Sequence, residues 1–392
     1  IQHHMSPEVE RQFVVPQGTF TLDRYPMRRK QQLRAWDAAD EYLLSHLATE
    51  QIPLASVLIL NDGSGALTTA LATALASTAT PGQVQMMSDS FLAHAATRAN
   101  LEANGSDVSG VTFLDSLQPP SVPFEVLLFK VPRTLAVLED QLQRLRPHLS
   151  PETLIIGAGM SKQIHTSTLA ACERWLGPTT TSLAQKKARL IRCTFDPSLD
   201  VPIEPEPTLY PLEGTGFKLS NHAALFAHER LDHGTRLLIE HLPRSPQAEC
   251  IVDLGCGNGV LGIVAGRHHR DATLVFADES AMAVDSARQN VSAILGDERE
   301  TAFHWSDCLD PVATGCADVV LCNPPFHQQQ SVGDATAWQM FTDARRVLQE
   351  QGAIWVVGNR HLGYHRSLRR LFGNCEVIAS NPKFVILKAT KL

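Results

Sequence analysis

The sequence predicts an α/β protein made of two tandem copies of one helix-covered parallel sheet, the first copy chemically degenerate. Three observations carry this. Short apolar runs alternate with amphipathic or small-residue stretches along most of the 392 residues, the pattern of strands returned by helices. Four blocks recur in the same order: Gly63 and Gly65 against Gly257 and Gly259, Asp89 against Asp278, Arg98 and Asn100 against Arg288 and Asn290, and Leu128–Pro132 against Leu321–Pro325. The shifts between them stay between 189 and 194 residues. A stretch holding Pro197, Pro202, Pro205, Pro207 and Pro211 separates the two series. So many prolines keep it extended and exclude a helix, as a linker requires.

Taken in order, Ile1-Gln2-His3-His4-Met5 reads as an expression-tag remnant. The first domain is expected over residues 6–196. It opens on a polar segment ending in Arg28-Arg29-Lys30, followed by an amphipathic helix over Leu33–Leu47. Val57–Leu60 is a strand, and Asn61-Asp62-Gly63-Ser64-Gly65 leads into a helix of small residues. A strand ending at Ser88-Asp89 precedes a helix with Arg98 and Asn100. Then come a strand over Glu125–Lys130, a helix over Leu135–Leu145 and a strand over Leu154–Gly157. Residues 197–211 are the expected linker and 212–392 the second domain.

The second domain carries the chemistry. Ile251–Leu254 is a short buried strand, and Gly255-Cys256-Gly257-Asn258-Gly259 follows it with a glycine at every second position. Glycine takes φ > 0 and has no Cβ, so a nucleotide-like ligand can lie against bare peptide there, facing the start of the helix over Val260–Ala265. Asp253 stands two residues before the first glycine, as the carboxylate that orders the turn. About twenty residues past the turn, as in dinucleotide folds, Val275–Ala277 ends in Asp278, Glu279 and Ser280. A carboxylate there can accept from both hydroxyls of a ribose; Asp278 is the first choice, Glu279 the second. The competing reading is a plain helix cap, and Ser280 can cap while Asp278 binds.

Asn323-Pro324-Pro325-Phe326 follows the apolar strand Val319–Cys322. Neither proline has an N–H, so the turn is rigid and offers only acceptors, the Asn323 side-chain oxygen and the Pro324 carbonyl. Such a corner suits a planar exocyclic amine whose lone pair is delocalised into its ring. Two acceptors hold its N–H groups and favour charge developing on nitrogen as a new bond forms. Phe326 offers a face on which a base can stack.

The motif Asp253-x-Gly255-x-Gly257-x-Gly259 resembles motif I of class I S-adenosylmethionine methyltransferases. Together with Asn323-Pro324-Pro325-Phe326 it looks like an amino-group methyltransferase, so the fold is expected to be two tandem Rossmann-like methyltransferase domains. The duplication with a degenerate first copy resembles the paired-domain bacterial rRNA guanine-N2 methyltransferases of the RsmC and RlmG types, the RlmG type more closely. Gln32–Leu44, His165–Leu169, Gly177–Thr181, Asn323–Gln329 and Phe372–Cys375 carry that likeness, which runs from about Phe20 to Leu392. It implies S-adenosylmethionine as donor and one guanine N2 in 23S rRNA, probed before ribosomal proteins cover it, as target. It also implies an adenine contact from Asp307 with Cys308 beside it, and Asp232 near the amino group of the methionine part, unless Asp232 only caps a helix. The first domain, with Ile59 for Asp253, Asn61 for Gly255 and Lys130 for Asn323, is expected to bind RNA. Arg28, Arg29, Lys30, Lys130, Arg133, Lys162, Lys186, Lys187, Arg189 and Arg192 are its candidate phosphate contacts. The same Asn-Pro-Pro-aromatic corner serves adenine-N6 and protein glutamine-N5 methylation, and a non-catalytic RNA-binding assembly factor is the rival from another class.

Composition narrows the rest. Hydrophobic content of 44% with 19% charged residues is that of a globular protein. No apolar run is long enough for a bilayer and no signal peptide opens the chain, so a cytoplasmic monomer without membrane or metal partners is expected. The eight cysteines form no C-x-x-C pair and read as reduced, buried thiols rather than a zinc site. The net charge of −7 divides into −2 over residues 1–200 and −5 over 201–392, so RNA binding has to rest on local patches.

Overall fold

The structure, a computed structural model, describes residues 9–27, 33–78, 82–202, 204–225, 230–244, 248–325 and 330–392, without the side chains of 330–334. These divide into two units after Pro205, inside the proline-rich stretch. The ends of that stretch are not free connector. The Pro202 carbonyl accepts from Gln143 Nε2 at 3.0 Å in the first unit. Thr208–Pro211 form a strand of the second, so ordered structure resumes before residue 212. The tag-like residues 1–5, Arg28–Lys30 and Phe326 lie outside the described residues.

In the first unit, a hairpin of β1 (Gln12–Val15) and β2 (Gly18–Thr21) precedes α1 (Ala38–Thr49), β3 (Ser56–Leu60), α2 (Ala66–Ala76), β4 (Gln83–Met87) and α3 (Phe91–Ala103). Then come β5 (Val111–Leu114), β6 (Val126–Lys130), α4 (Leu135–Leu145), β7 (Leu154–Met160), α5 (Thr166–Trp175), β8 (Thr179–Thr181) and β9 (Ala188–Cys193). The first helix starts at Ala38, not Leu33, because Asp37 caps it. Asp37 accepts from the Ala39 amide at 2.9 Å while Asp40 reaches back to the Asp37 amide at 2.9 Å. The sheet order is β5-β4-β3-β6-β7-β9-β8. Five strands are parallel, but β9 runs antiparallel to both its neighbours, β7 and the edge strand β8, which strand–helix alternation did not disclose. Period-two burial splits β3 between both faces: Val57 and Ile59 pack with Leu43 and Leu67, Leu58 and Leu60 with Phe129 and Trp175.

The second unit repeats the scheme with β10 (Thr208–Pro211), β11 (Lys218–Asn221), α6 (His233–Glu240), β12 (Cys250–Leu254), α7 (Val260–His268), β13 (Thr273–Asp278) and α8 (Ala281–Leu295). It closes with β14 (Thr301–Trp305), β15 (Ala317–Cys322), α9 (Gln330–Val347), β16 (Leu348–Asn359), α10 (Tyr364–Phe372), β17 (Glu376–Ser380) and β18 (Phe384–Thr390). Its order, β14-β13-β12-β15-β16-β18-β17, matches the first sheet strand for strand.

Register corrects one part of the internal alignment. Leu60 pairs with Met87 and Phe129, and Leu254 pairs with Ala277 and Cys322. The shift for the second strand is therefore 190, which makes Ser88, not Asp89, the counterpart of Asp278, and Asp89 the counterpart of Glu279. The helix caps Ser90 and Ser280 agree with that shift. Two interactions recur at it. Arg98 lies over the Phe113 ring at 3.8 Å, and Arg288 over Phe303 at 5.1 Å. Asn100 accepts from the Asp23 amide and donates to the Asp23 and Ser64 carbonyls at 2.7–2.9 Å. Asn290 does the same with the Ser220 amide and the Ser220 and Asn258 carbonyls at 2.7–3.0 Å. Each buried amide thus ties the preceding hairpin segment and the glycine turn to one helix.

Asn290→Ala leaves those backbone groups unpaired in the interior and is expected to lower stability by about 2–3 kcal/mol in urea unfolding. A loss below about 0.5 kcal/mol would place the turn's support elsewhere.

Candidate active site

The second unit gathers its unusual residues at one edge. Because Leu254 pairs with Ala277 on one side and Cys322 on the other, Gly255, Asp278 and Asn323 leave three adjacent parallel strands at one level. Asp278 in turn pairs with Trp305, so Ser306–Cys308 emerge beside it. Strands in such a sheet are about 4.8 Å apart, and the edge lies at the switch point between β12 and β15, where open α/β sheets bind ligands.

The glycine turn is built by backbone demands. Gly255, Gly257 and Gly259 have φ of 70°, 53° and 80°, all left-handed. A Cβ on Gly257 would have nothing within 4 Å, so that face of the turn is open. Gly259 starts α7 without a side-chain cap, and the missing cap comes from the strand: Asp253 Oδ2 accepts from the Gly262 amide at 2.8 Å. Gly262 has to be glycine because a Cβ there would lie 2.4 Å from the Phe276 ring. Asp253 is 1% exposed and its other oxygen has no partner among the described residues. Burial, with Asp278 nearby and only the Gly262 amide in opposition, pushes its pKa up to about 8.

Asp278 is occupied in the turn itself. Its Oδ2 accepts from the Gly257 amide and its Oδ1 from the Ser280 amide, both at 3.0 Å, while burial raises its pKa. Ser280 caps α8 through the Ala283 amide at 3.1 Å. Trp305 Nε1 donates to the Glu279 carbonyl at 2.8 Å. Asp307 is buried and accepts from Gln339 Nε2 at 2.9 Å; the next residue, Cys308, holds a left-handed φ of 47°. Cys256 is buried in the turn. The Asn258 side chain faces away from the open side, donating to Tyr210 Oη at 2.8 Å and Asn221 Oδ1 at 2.9 Å and accepting from the Val260 amide. Asn258 therefore props the turn on the β10–β11 hairpin.

Asn323 is held by one end. Its Nδ2 donates to Thr235 Oγ1 at 2.8 Å and to Asp232 Oδ2 at 3.3 Å, which leaves Oδ1 buried and unpartnered. Asp232 caps α6 through the Thr235 amide at 3.0 Å, so cap and site are one structure. Thr235 is the site residue that sequence reasoning missed. A threonine three residues after a capping Asp is an ordinary first-turn residue, and only the fold brings it to Asn323. Pro324 is buried behind this corner and Pro325 exposed.

The first unit fills the corresponding space with its own charges. Lys130, at the position of Asn323, donates to Asp40 Oδ1 at 2.6 Å and Asp37 Oδ1 at 2.9 Å. Burial works against the Lys130 charge, but the two carboxylates outweigh it and raise its pKa. Asp40 is itself pushed up to about 6 by burial, against the pull of Lys130. Lys130 is thus removed from the candidate phosphate contacts, and Lys186 is paired with Glu41 at 2.7 Å. The expectation that this copy lacks a carboxylate to order its turn is also corrected. Asp62 Oδ2 accepts from the amide and hydroxyl of Thr68, both at 2.7 Å, capping α2 at the residue that corresponds to Gly262.

Among the described residues, no group of three or more His, Cys, Asp and Glu side chains could hold a metal, and no helix is long and apolar enough to cross a membrane. The thiols are unpaired. Cys172, Cys193, Cys256 and Cys322 are buried, whereas Cys316 is exposed, contrary to its apolar neighbourhood in sequence.

Two family models match, the RLMG N-terminal domain over residues 10–197 and the methyltransferase small domain over 216–388. The ribosomal RNA large subunit methyltransferase G of Streptomyces avermitilis is 50% identical over 382 residues, covering 96% of this chain and 98% of that one. Its namesake from Aeromonas salmonicida is 48% identical over 95% of this chain and 97% of its own. The fold is shared with the 16S rRNA N2 methyltransferase RsmC of T. thermophilus, solved with AdoMet and guanosine, at a TM-score of 0.73, 18% identity and 97% coverage of both chains.

The raised pKa of Asp253 has a sign that can be measured. The folded form keeps a proton that the unfolded chain releases near pH 4, so this group's contribution is full below that pH and is lost as pH climbs towards about 8. Between pH 5 and 7, the stability of the wild type relative to Asp253→Asn should fall by roughly 1.4 kcal/mol per pH unit in urea unfolding. Parallel profiles would mean that the carboxyl is already ionised.

Proposed function

Because this chain belongs to the ribosomal RNA large subunit methyltransferase G family, we propose that it methylates the exocyclic N2 amine of one guanine in 23S rRNA with S-adenosylmethionine as donor. The observation that carries the chemistry is the Asn323 amide, pinned through nitrogen and offering a bare oxygen where β15 ends beside the glycine turn.

The site suits the donor. Its glycine turn is open at Gly257, the Asp253 and Asn323 oxygens are buried without partners, and Asp278 ends the neighbouring strand. The Asn323 oxygen and the Asp278 carboxylate are acceptors beside bare peptide, which a ligand rich in N–H and O–H donors satisfies. Gly255–Gly259 would carry it, with Asp278 or Glu279 towards the ribose and Asp307 and Cys308 towards the adenine. S-adenosylmethionine supplies an electrophilic methyl group on a cationic sulfonium.

This chain's residues then do the rest by holding and orienting. Asn323 Oδ1 and the Pro324 carbonyl accept from the guanine amine and keep its nitrogen aimed along one line. As the nitrogen gains a bond its N–H groups become more acidic, so both acceptors bind more strongly in the transition state than before it. Fixing amine and methyl in contact can contribute about 7–11 kcal/mol. Thr235 and Asp232 act through Asn323 and are positioning residues: with Nδ2 occupied, the amide cannot turn its nitrogen to the substrate. The guanine has to be unstacked to enter, at a cost of a few kcal/mol, and grip on RNA by the first unit, taken as residues 6–196, offsets it. We place the reaction in the cytoplasm, on rRNA not yet covered by ribosomal proteins, with the enzyme a monomer needing no metal.

Asn323→Ala should abolish methyl transfer from labelled S-adenosylmethionine to naked 23S rRNA while donor affinity stays within severalfold. Wild-type turnover in that variant would refute the assignment. Thr235→Val should lower kcat by roughly tenfold or more, with KM for RNA little changed, and Thr235→Ser should restore it. Equal loss in both threonine variants would point to a packing defect in α6.

A further inference from the structure

The first unit has a cavity of about 240 Å³ where β6 and β7 end, at the same edge of its sheet that forms the site in the second unit. Arg133, Lys162 and His165 line it, joined by the polar groups of Gln163, Ser167 and Thr168, and no acidic side chain does. That is unusual in a half of the chain with a net charge of −2. Arg133 and Lys162 are exposed and make no ion pair or side-chain hydrogen bond among the described residues, unlike Lys130 and Lys186. The Ser161–Lys162 turn is held by the Ser161 amide donating to the Lys187 carbonyl at 2.7 Å, which sets the backbone of exposed Lys187 next to it. The eleven-residue helix α4 begins at the cavity wall, where Thr134 and Leu135 line the space and its N-cap Thr134 gives no side-chain cap to the first amides.

We propose that this cavity binds a backbone phosphate of the RNA substrate, with Arg133 and Lys162 as its charged contacts and the start of α4 as a further donor. It rests on the reading that an RNA is the substrate. Free cations around uncapped amides are the arrangement that takes up a phosphodiester, and a rigid concave seat fixes one phosphate rather than attracting the strand loosely. Such a contact gives register without reading a base, which is what a copy stripped of its own catalytic groups can supply.

The test uses the full chain with Arg133→Glu/Lys162→Glu, and Arg133→Gln/Lys162→Gln as the milder pair, on naked 23S rRNA. Both doubles should raise KM for RNA, by roughly tenfold for the reversal, with kcat and S-adenosylmethionine affinity as in the wild type. The dependence of log K on log salt should become shallower by about 0.7 for one lost phosphate contact to single-stranded RNA. Unchanged KM and salt slope in both doubles, from a wild type that methylates the RNA, would overturn the pocket alone. Guanosine monophosphate binding the wild type as tightly as the RNA, and losing affinity in the doubles, would overturn it in favour of a small-molecule site. A wild type that neither binds nor methylates rRNA would overturn the function and the pocket together.

Discussion

A carboxylate buried under a helix start is the interaction on which both units depend. In each copy the strand-to-helix turn leaves an N-terminus with no cap of its own, and an aspartate meets the amide of the third helical residue. In the second unit Asp253 reaches it from the strand; in the first Asp62 reaches it from the turn. The difference of three positions decides what the turn can hold. A carboxylate on the strand leaves the turn to glycines and its open face to a ligand. One placed in the turn takes up that room itself. Around the anchor, Asn290 and Asn100 fasten turn, helix and hairpin segment together, so a shift in one would displace the others.

The two copies therefore resolve the same architectural problem with different electrostatics. The second unit buries two oxygens that lack partners beside its glycine turn, Asp253 Oδ1 and Asn323 Oδ1. Burying them costs stability, and the donor groups of ligand and substrate are the natural relief. At the equivalent positions the first unit is paired, with Lys130 between Asp37 and Asp40 and Asn61 bonded to Gln141. At this sheet edge the two units differ in unmet hydrogen-bonding capacity rather than in fold.

Much of this was legible in sequence because it depends on local rules. Alternating apolar runs marked the strands, glycines at every second position marked the turn, and an acid some twenty residues on marked the end of β13. The antiparallel end of the first sheet was not visible, since its edge strand Thr179–Thr181 is too short to show a period. The start of α1 was misplaced because its cap is a reciprocal pair, Asp37 and Asp40, inside an otherwise continuous pattern. Within the site, Asn323 announced itself through the prolines behind it, whereas Thr235 did not. It lies 88 positions away and matters only because folding sets its hydroxyl against the Asn323 nitrogen. Asn258, counted with the cofactor residues for its place between two glycines, turns out to face the hairpin.

The Lys130–Asp37–Asp40 cluster also bears on how such a chain can evolve. Losing either acid still leaves the lysine paired with the other, whereas replacing Lys130 leaves the buried Asp40 without its counter-charge, a loss that reaches about 3–5 kcal/mol when a buried pair is broken. That is a large part of the stability of an ordinary domain. Exchanging the lysine for an asparagine in one step would therefore leave two neighbouring acids in its place. The interior of the first unit is thus tied to this charge cluster, while its surface can change without disturbing it.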